Sequence, residues 1–254
     1  MADTRPNTPA LWQGALPARA ATANKYDRGY AVVVAAPRLT GATRLAAEAA
    51  DRVGTGLVGV VARGETGWTL RAALPPDVLV LDEIPARRSA LLAGPGGIDA
   101  RHRNAILGER CARVLDADML DARLPFEALD ADTVLTPHAG EFGRVFPDLE
   151  ADAGGARAAA ARCGAVVALK GPTTWVAHPD GRVAEHARPN PDLAKAGTGD
   201  VLAGAMAGML AQGMPIWEVA CAGVWLHSRA AEIAGKFLTA SDLLGALRVA
   251  QAEV

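Results

Sequence analysis

Cysteine is almost missing from this sequence. Cys111, Cys163 and Cys221 stand far apart in a chain of 254 residues. They form no CxxC pair and an odd count is a poor disulfide framework, so they read as the reduced thiols of a cytoplasmic protein. Long apolar runs are missing too. Val201–Ala211, the longest stretch of small apolar residues, is too short to span a bilayer. Residues 1–24 are polar and proline-bearing, with no apolar run of signal-peptide length. Neither sign of charge prevails: 26 Lys and Arg face 28 Asp and Glu, for a formal charge of −2. That balance argues against nucleic-acid or membrane partners, and leaves room for positive charge gathered locally around an anionic ligand. No His/Cys cluster has zinc spacing, no GxxxxGK[ST] loop marks a P-loop NTPase, and no GxSxG elbow marks a hydrolase.

What remains is a chain that is half hydrophobic, enough for a substantial core. The simplest organisation is a loose, flexible arm over residues 1–24 and one domain over residues 25–254, with no internal repeat. Short β-branched runs at Tyr30–Ala36, Leu57–Ala62, Val78–Leu81, Ser89–Ala93, Arg113–Leu115, Thr133–Leu135 and Ala165–Leu169 read as buried strands. Helical patterns fall at Thr43–Val53, Asn104–Cys111, Gly155–Cys163, Asp200–Gln212, Ile216–Ala234 and Ala240–Ala250. Thr174–Ala177 and Arg182–His186 flank Pro179-Asp180-Gly181 as a β-hairpin. Strands alternating with helices predict an α/β fold, its central, mostly parallel sheet flanked by helices on both faces. Ligands of such sheets lie beyond the carboxyl ends of the strands, where Asp116, Asp118, His138 and Lys170 all fall.

The sharpest local signal is Ala196–Asp200 (AGTGD). Gly197 and Gly199 bracket Thr198 just before a helix. Glycine lets backbone N–H groups converge, and a helix N-terminus offers unpaired donors and partial positive charge to a phosphate. Asp200, in the first turn, is placed to take a proton from a hydroxyl beside that phosphate. The plainer alternative is that Asp200 or Thr198 only caps the helix. Gly204 and Gly208 lie one turn apart in the same helix and imply close packing against a neighbour, since each weakens the helix by roughly 1 kcal/mol relative to alanine.

Other segments leave alternatives open. Gly54–Gly59 matches GxGxxG, but a helix precedes it and a strand follows, the reverse of a dinucleotide fingerprint, so it reads as a turn. His138 either meets a substrate or serves the helix that follows, with Glu141 as a first-turn acid. Lys170, ahead of Gly171, Pro172, Thr173 and Thr174, is either a point charge for phosphate or a solvated strand end. Gly94–Gly97 is a turn or a backbone surface for a flat ligand, and Asp116 and Asp118 face a metal, a ribose or only a turn.

Taken together, Leu135–Phe142 (LTPHAGEF), Ala168–Gly181 (ALKGPTTWVAHPDG) and Asn190–Gly213 (NPDLAKAGTGDVLAGAMAGMLAQG) resemble the ADP-dependent NAD(P)H-hydrate dehydratases of the ribokinase-like superfamily. Weaker matches at Leu39–Val60, Gly94–Gly97, Leu115–Asp118 and Thr239–Leu244 extend the likeness over nearly the whole chain after residue 24. The resemblance implies a ribokinase-like fold and an enzyme that uses ADP to drive water out of (6S)-NAD(P)H hydrate. It implies Asp200 as the catalytic base and Ala42, Gly96, His138 and Asp200 as contacts to the hydrated cofactor. Lys170, Gly171, Pro172, Thr173, Thr174, Gly197, Thr198 and Gly199 would be contacts to the adenine nucleotide. Mg²⁺ would be held by phosphate and water rather than by a protein cage. A homo-oligomer and an epimerase on a separate chain are the implied partners. The sequence departs from the family at Ala35-Ala36-Pro37-Arg38, where a glycine-rich segment is usual, and at His138-Ala139-Gly140-Glu141, where a proline is usual. The competing readings are a ribokinase-like kinase of a small vitamin alcohol and a catalytically silent nucleotide-binding protein. HxGE with KGxxT ahead of AGTGD favours the dehydratase over the kinase.

Overall fold

The computed structural model describes residues 4–18 and 20–254. In chain order the elements are β1 (Thr4–Pro6), β2 (Tyr30–Val34), α1 (Thr40–Arg52), β3 (Leu57–Val61), α2 (Gly64–Ala73) and β4 (Val78–Leu81). Next come β5 (Ala90–Ala93), α3 (Ala100–Gly108), β6 (Ala112–Leu115), β7 (Thr133–Leu135), α4 (Ala139–Val145) and α5 (Ala153–Cys163). The hairpin region and C-terminal helices are β8 (Val166–Leu169), β9 (Thr174–Ala177), β10 (Val183–His186), α6 (Thr198–Ala211), α7 (Ile216–Ala234) and α8 (Ala240–Gln251). Among the described residues the strands form one sheet in the order β1-β10-β9-β8-β7-β6-β5-β2-β3-β4. β9 runs antiparallel to both neighbours and every other pairing is parallel. No helix among the described residues is long and apolar enough to cross a membrane.

Two apolar layers sandwich the sheet. One face packs against α1, α2, α6, α7 and α8 through residues such as Ala46, Leu70, Met206, Leu226 and Leu247. The opposite face packs against α3, α4 and α5 through Ile106, Phe142, Phe146 and Ala159. Burial on both faces explains why the central strands read as continuous apolar runs rather than alternating ones. The glycines of α6 serve close approach to α1. A Cβ on Gly204 would sit 2.1 Å from the Ala46 carbonyl oxygen, and one on Gly208 would sit 2.5 Å from that of Ala50.

The N-terminal segment differs from the expected loose arm. Thr4–Pro6 pairs in parallel with Val183–Glu185 as an edge strand. Asn7 donates from Nδ2 to the Cys221 carbonyl at 2.8 Å, and Trp12 is fully buried, its ring 5.6 Å from that of Trp225. One large aromatic docked onto α7 supplies the burial that anchors a segment otherwise polar in composition. Helix α2 is a further element beyond the expected set, and α4 is the helix expected after His138, with Glu141 in its first turn. Cys111, Cys163 and Cys221 are free thiols.

Parallel strands place their carboxyl ends along one sheet edge. The loops after β2, β5, β6, β7 and β8 therefore open on the same side, and they carry Pro37, Gly94–Gly97, Asp116, His138 and Lys170 respectively. Gly54–Gly59 is the turn from α1 into β3, where the Thr55 hydroxyl donates to the Ala50 and Gly208 carbonyls. A helix precedes it and a strand follows, the order read from the sequence.

Candidate active site at the sheet edge

Helix α6 begins without a side-chain cap. Gly197 occupies the N-cap position at φ +94°, and no side chain accepts from the first amides. Any Cβ there would collide with Leu45 Cδ1 at 2.7 Å and Ala240 Cβ at 2.9 Å, so the turn needs glycine for space as well as for torsion. The Thr198 hydroxyl points away from the helix mouth and donates to the carbonyls of Leu193 (2.8 Å) and Lys195 (2.9 Å). The amides of Gly199 and Asp200 donate to no group among the described residues. The capping alternative for Asp200 and Thr198 is thereby set aside. What remains is a helix terminus with its donors free, the geometry an anion requires.

Lys170 stands across from this turn. Its Nζ lies 3.5 Å from where a Cβ on Gly199 would be and donates to Asp116 Oδ1 at 2.9 Å. Asp116 is buried at the end of β6 and also accepts from the Thr136 hydroxyl at 2.8 Å. Burial opposes the charge on Lys170, but the carboxylates of Asp116, Glu141 and Asp200 outweigh it and hold its pKa above the ordinary lysine value. Asp200 moves the other way. Burial, then repulsion from Asp116, push it up from 3.8 to about 6, with Lys170 pulling back. No group among the described residues donates a hydrogen bond to its carboxylate. A half-buried, unpaired carboxylate titrating near neutrality, beside a cation and two free amides, is equipped to take a proton from a bound hydroxyl.

His138 is the N-cap of α4. Its Nδ1 accepts from the amides of Gly140 (3.0 Å) and Glu141 (3.2 Å), while Glu141 Oε2 accepts from the His138 amide at 2.9 Å. This reciprocal capping box accounts for the spacing of His138 and Glu141. Its backbone also bridges to Lys170 across the strand ends. Ala42 and Gly96 meet on the neighbouring stretch of the edge. A Cβ on Gly96 would lie 2.7 Å from Ala42 Cβ and 2.8 Å from the Leu39 carbonyl oxygen. Gly97 adjoins Pro37 and the Asp118 carboxylate, so the departure at residues 35–38 lies beside this part of the edge.

A cavity of about 630 Å³ opens from the α6 turn. His138, Lys170, Gly171, Pro172, Thr174, Thr198 and Gly199 line it. Thr173 and Gly197 belong to its framing turns, and Ala42, Gly96 and Asp200 lie outside its lining. A larger open groove of about 990 Å³ runs between α1 and α8 and carries none of the strand-end groups.

Two residues of the site escape a reading of the sequence, His227 and His186, and for a third, Asp116, the sequence leaves the role open. Asp116 meets its partner Lys170 only through the fold, 54 positions away. His227, buried in α7, shares a hydrogen with the Thr198 carbonyl from Nε2 at 2.8 Å and so braces the anion turn. Burial pushes its pKa down to about 4, against the pull of that carbonyl. His186, at the end of β10, also lines the cavity. Each histidine is a lone residue in an apolar element, and no local pattern sets it apart.

Comparison with known proteins adds the following. A family model described as NAD(P)H-hydrate dehydratase matches residues 31–247. The ADP-dependent (S)-NAD(P)H-hydrate dehydratase of Neisseria meningitidis is 36% identical, over 85% of this chain and 80% of its own length. The bifunctional NAD(P)H-hydrate repair enzyme of Gloeobacter violaceus is 38% identical over 84% of this chain. The chain spans about half of that relative's length, 48%. Among solved structures, the ADP/ATP-dependent NAD(P)H-hydrate dehydratase of Bacillus subtilis, co-crystallised with ATP/Mg²⁺, matches at a TM-score of 0.87 and 27% identity, over 99% of both chains. The architecture is ribokinase-like.

Proposed function

The chain belongs to the NAD(P)H-hydrate dehydratase family, and from that premise we propose that it uses ADP to drive water out of (6S)-NAD(P)H hydrate, regenerating NAD(P)H. The observation that carries the proposal is the uncapped start of α6, with two free amides beside Lys170 and an unpaired Asp200 at about 6.

Hydroxide is a poor leaving group and phosphate a better one, so the nucleotide's task is to convert one into the other. Asp200 accepts the proton of the ring hydroxyl as that oxygen attacks the terminal phosphorus of ADP and AMP departs. The amides of Gly199 and Asp200, with Lys170 as a point charge, stabilise the phosphoryl oxygens during transfer. The ring nitrogen lone pair then expels phosphate, and loss of a proton from the neighbouring ring carbon restores the dihydropyridine. The balance is one hydrated cofactor and one ADP in, and one NAD(P)H, one AMP, one phosphate and one proton out. In this reading the nucleotide lies along Lys170–Thr174 and Gly197–Gly199. The hydrated ring lies toward Ala42, Gly96 and His138.

Mg²⁺ fits the charge of the site. Asp116, Glu141 and Asp200 surround a single ammonium, a surplus of negative charge that disfavours a bare diphosphate. Among the described residues no group of three His, Cys, Asp or Glu is arranged to cage a metal. Asp116 and Glu141 would therefore hold a largely hydrated ion, whose contribution is counter-charge to the diphosphate. The test supplies purified hydrated NADH, ADP and Mg²⁺ and follows the return of dihydronicotinamide absorbance. Recovery that depends on nucleotide supports the proposal. No recovery with either ADP or ATP, from folded protein, overturns it.

A further inference from the structure

We propose that the Nδ1 lone pair of His227 accepts a hydrogen bond from the nucleoside half of the bound nucleotide, a role that rests on the cavity at the α6 turn being the nucleotide site. His227 is only 8% exposed, and the open space it borders is that cavity. Its Nε2 meets the Thr198 carbonyl oxygen at 2.8 Å. A carbonyl only accepts, so Nε2 carries the imidazole hydrogen. Burial pushes the pKa down to about 4, so the ring is neutral at physiological pH and Nδ1 keeps its lone pair. Nδ1 has no hydrogen-bond partner among the described residues. Unlike the ring nitrogens of His186, it is not sealed inside the protein. Once a ligand expels water from the cavity, a bare lone pair costs affinity, so the ligand must bring a donor to it.

The position selects the nucleoside over the phosphates. Helices α6 and α7 run antiparallel, with His227 level with Thr198 and Gly223 against Met206. Val224 therefore lies one turn deeper than His227, facing Leu202, which lies one turn deeper than Thr198. Both line the cavity, and with Leu193 they form an apolar wall suited to a flat heterocycle. Phosphate oxygens are acceptors, so a neutral lone pair repels them. They keep to the amides of Gly199 and Asp200 and to the ammonium of Lys170, which are donors. An adenine nucleoside brings its own donors beyond the phosphates: the 6-amino group of the base and the 2′ and 3′ hydroxyls of the ribose. Each supplies the hydrogen that Nδ1 lacks. The same imidazole then holds the anion turn through one nitrogen and the nucleoside through the other.

The test measures by calorimetry the binding of ADP and of analogues that each lack one donor: inosine diphosphate, 2′-deoxy-ADP and 3′-deoxy-ADP. The proteins are the unaltered chain and His227→Gln, whose amide N–H replaces Nε2 toward Thr198 while no acceptor stands at the Nδ1 position. One analogue should bind the unaltered chain about tenfold more weakly than ADP, and that penalty should shrink to about twofold or less in His227→Gln. A shrinking inosine penalty supports the inference with the base as donor, and a shrinking deoxy penalty supports it with the ribose. Penalties that are the same in both proteins overturn it. The ¹⁵N resonance of Nδ1 gives a second readout in the unaltered chain, free of any effect of the variant on folding. Saturating ADP should move it toward the range of a protonated nitrogen, and a resonance that ADP leaves in place overturns the inference. Absence of ADP binding by the unaltered chain overturns it together with the nucleotide assignment. ADP binding without turnover of the hydrated cofactor overturns only the proposed reaction.

Discussion

Replacing Asp200 with asparagine should move stability and activity in opposite directions. The carboxyl is raised from 3.8 to about 6 in the folded chain, first by burial and then by Asp116. Such a group binds its proton more tightly folded than unfolded. Its ionisation therefore destabilises the fold, with no effect below about pH 4, a growing one between pH 4 and 6, and the full effect above. At about 1.4 kcal/mol per pH unit, the rise from 3.8 to about 6 corresponds to about 3 kcal/mol as an upper bound. Water reaches part of the side chain, and screening leaves about 1–2 kcal/mol. Asparagine is nearly isosteric and carries no charge. Asp200→Asn should therefore be more stable than the unaltered chain by that amount at pH 8, about 2–8 °C in melting temperature for a chain of this size, and no more stable at pH 4. The same variant should bind ADP and lose turnover, because no base remains to accept the hydroxyl proton. Paired thermal melts at the two pH values, with ADP titrations and turnover assays, make the check. Equal or lower stability of the variant at pH 8 would refute the electrostatic account of the site, and retained turnover would remove Asp200 from its role.

Three further outcomes follow from the same geometry. The kcat/KM for the hydrated cofactor should rise with pH through a midpoint near 6, about tenfold per unit on the acid side, as Asp200 loses its proton; a flat profile from pH 5 to 8 contradicts this. Lys170→Ala removes the partner of buried Asp116 and the cation that lowers Asp200. It should cost about 3–5 kcal/mol in denaturant unfolding, weaken ADP binding and move the pH midpoint above 6. Gly204→Ala should destabilise by about 1–3 kcal/mol despite alanine's better helix propensity, because its Cβ would meet the Ala46 carbonyl oxygen. Gly245→Ala, in open space on α8, should instead stabilise by up to about 1 kcal/mol, and the two unfolding curves together test the packing of α6 on α1.

The parts of the fold that the sequence announces are those whose burial leaves a local pattern. Val78–Leu81, Thr133–Leu135, Thr174–Ala177 and Ile216–Ala234 coincide with the observed elements because short β-branched runs and a long apolar helix have few other uses. β1 is silent because an exposed edge strand, Thr-Arg-Pro, buries nothing of its own. α2 carries Gly64 and Gly67 in its first turns, which hides it from a propensity reading. The glycine turn and Asp200 are legible because two glycines bracketing a threonine ahead of an apolar helix form a local pattern. Asp116 is legible as a strand-end candidate but not by its partner, and His227 and His186 are not legible at all, since each acquires its place from a partner or cavity wall assembled by the sheet. The N-terminal segment misleads for the opposite reason: one buried Trp12 outweighs the polar composition around it.

The fate of the transferred phosphate separates dehydration from phosphorylation. With hydrated NADH, ADP and Mg²⁺, the proposed reaction yields AMP, inorganic phosphate and NADH in equal amounts, and Asp200→Asn yields none of them. A phosphorylated cofactor that accumulates without release of phosphate would contradict it and identify the chain as a kinase. NADH formed without consumption of nucleotide would contradict it as well.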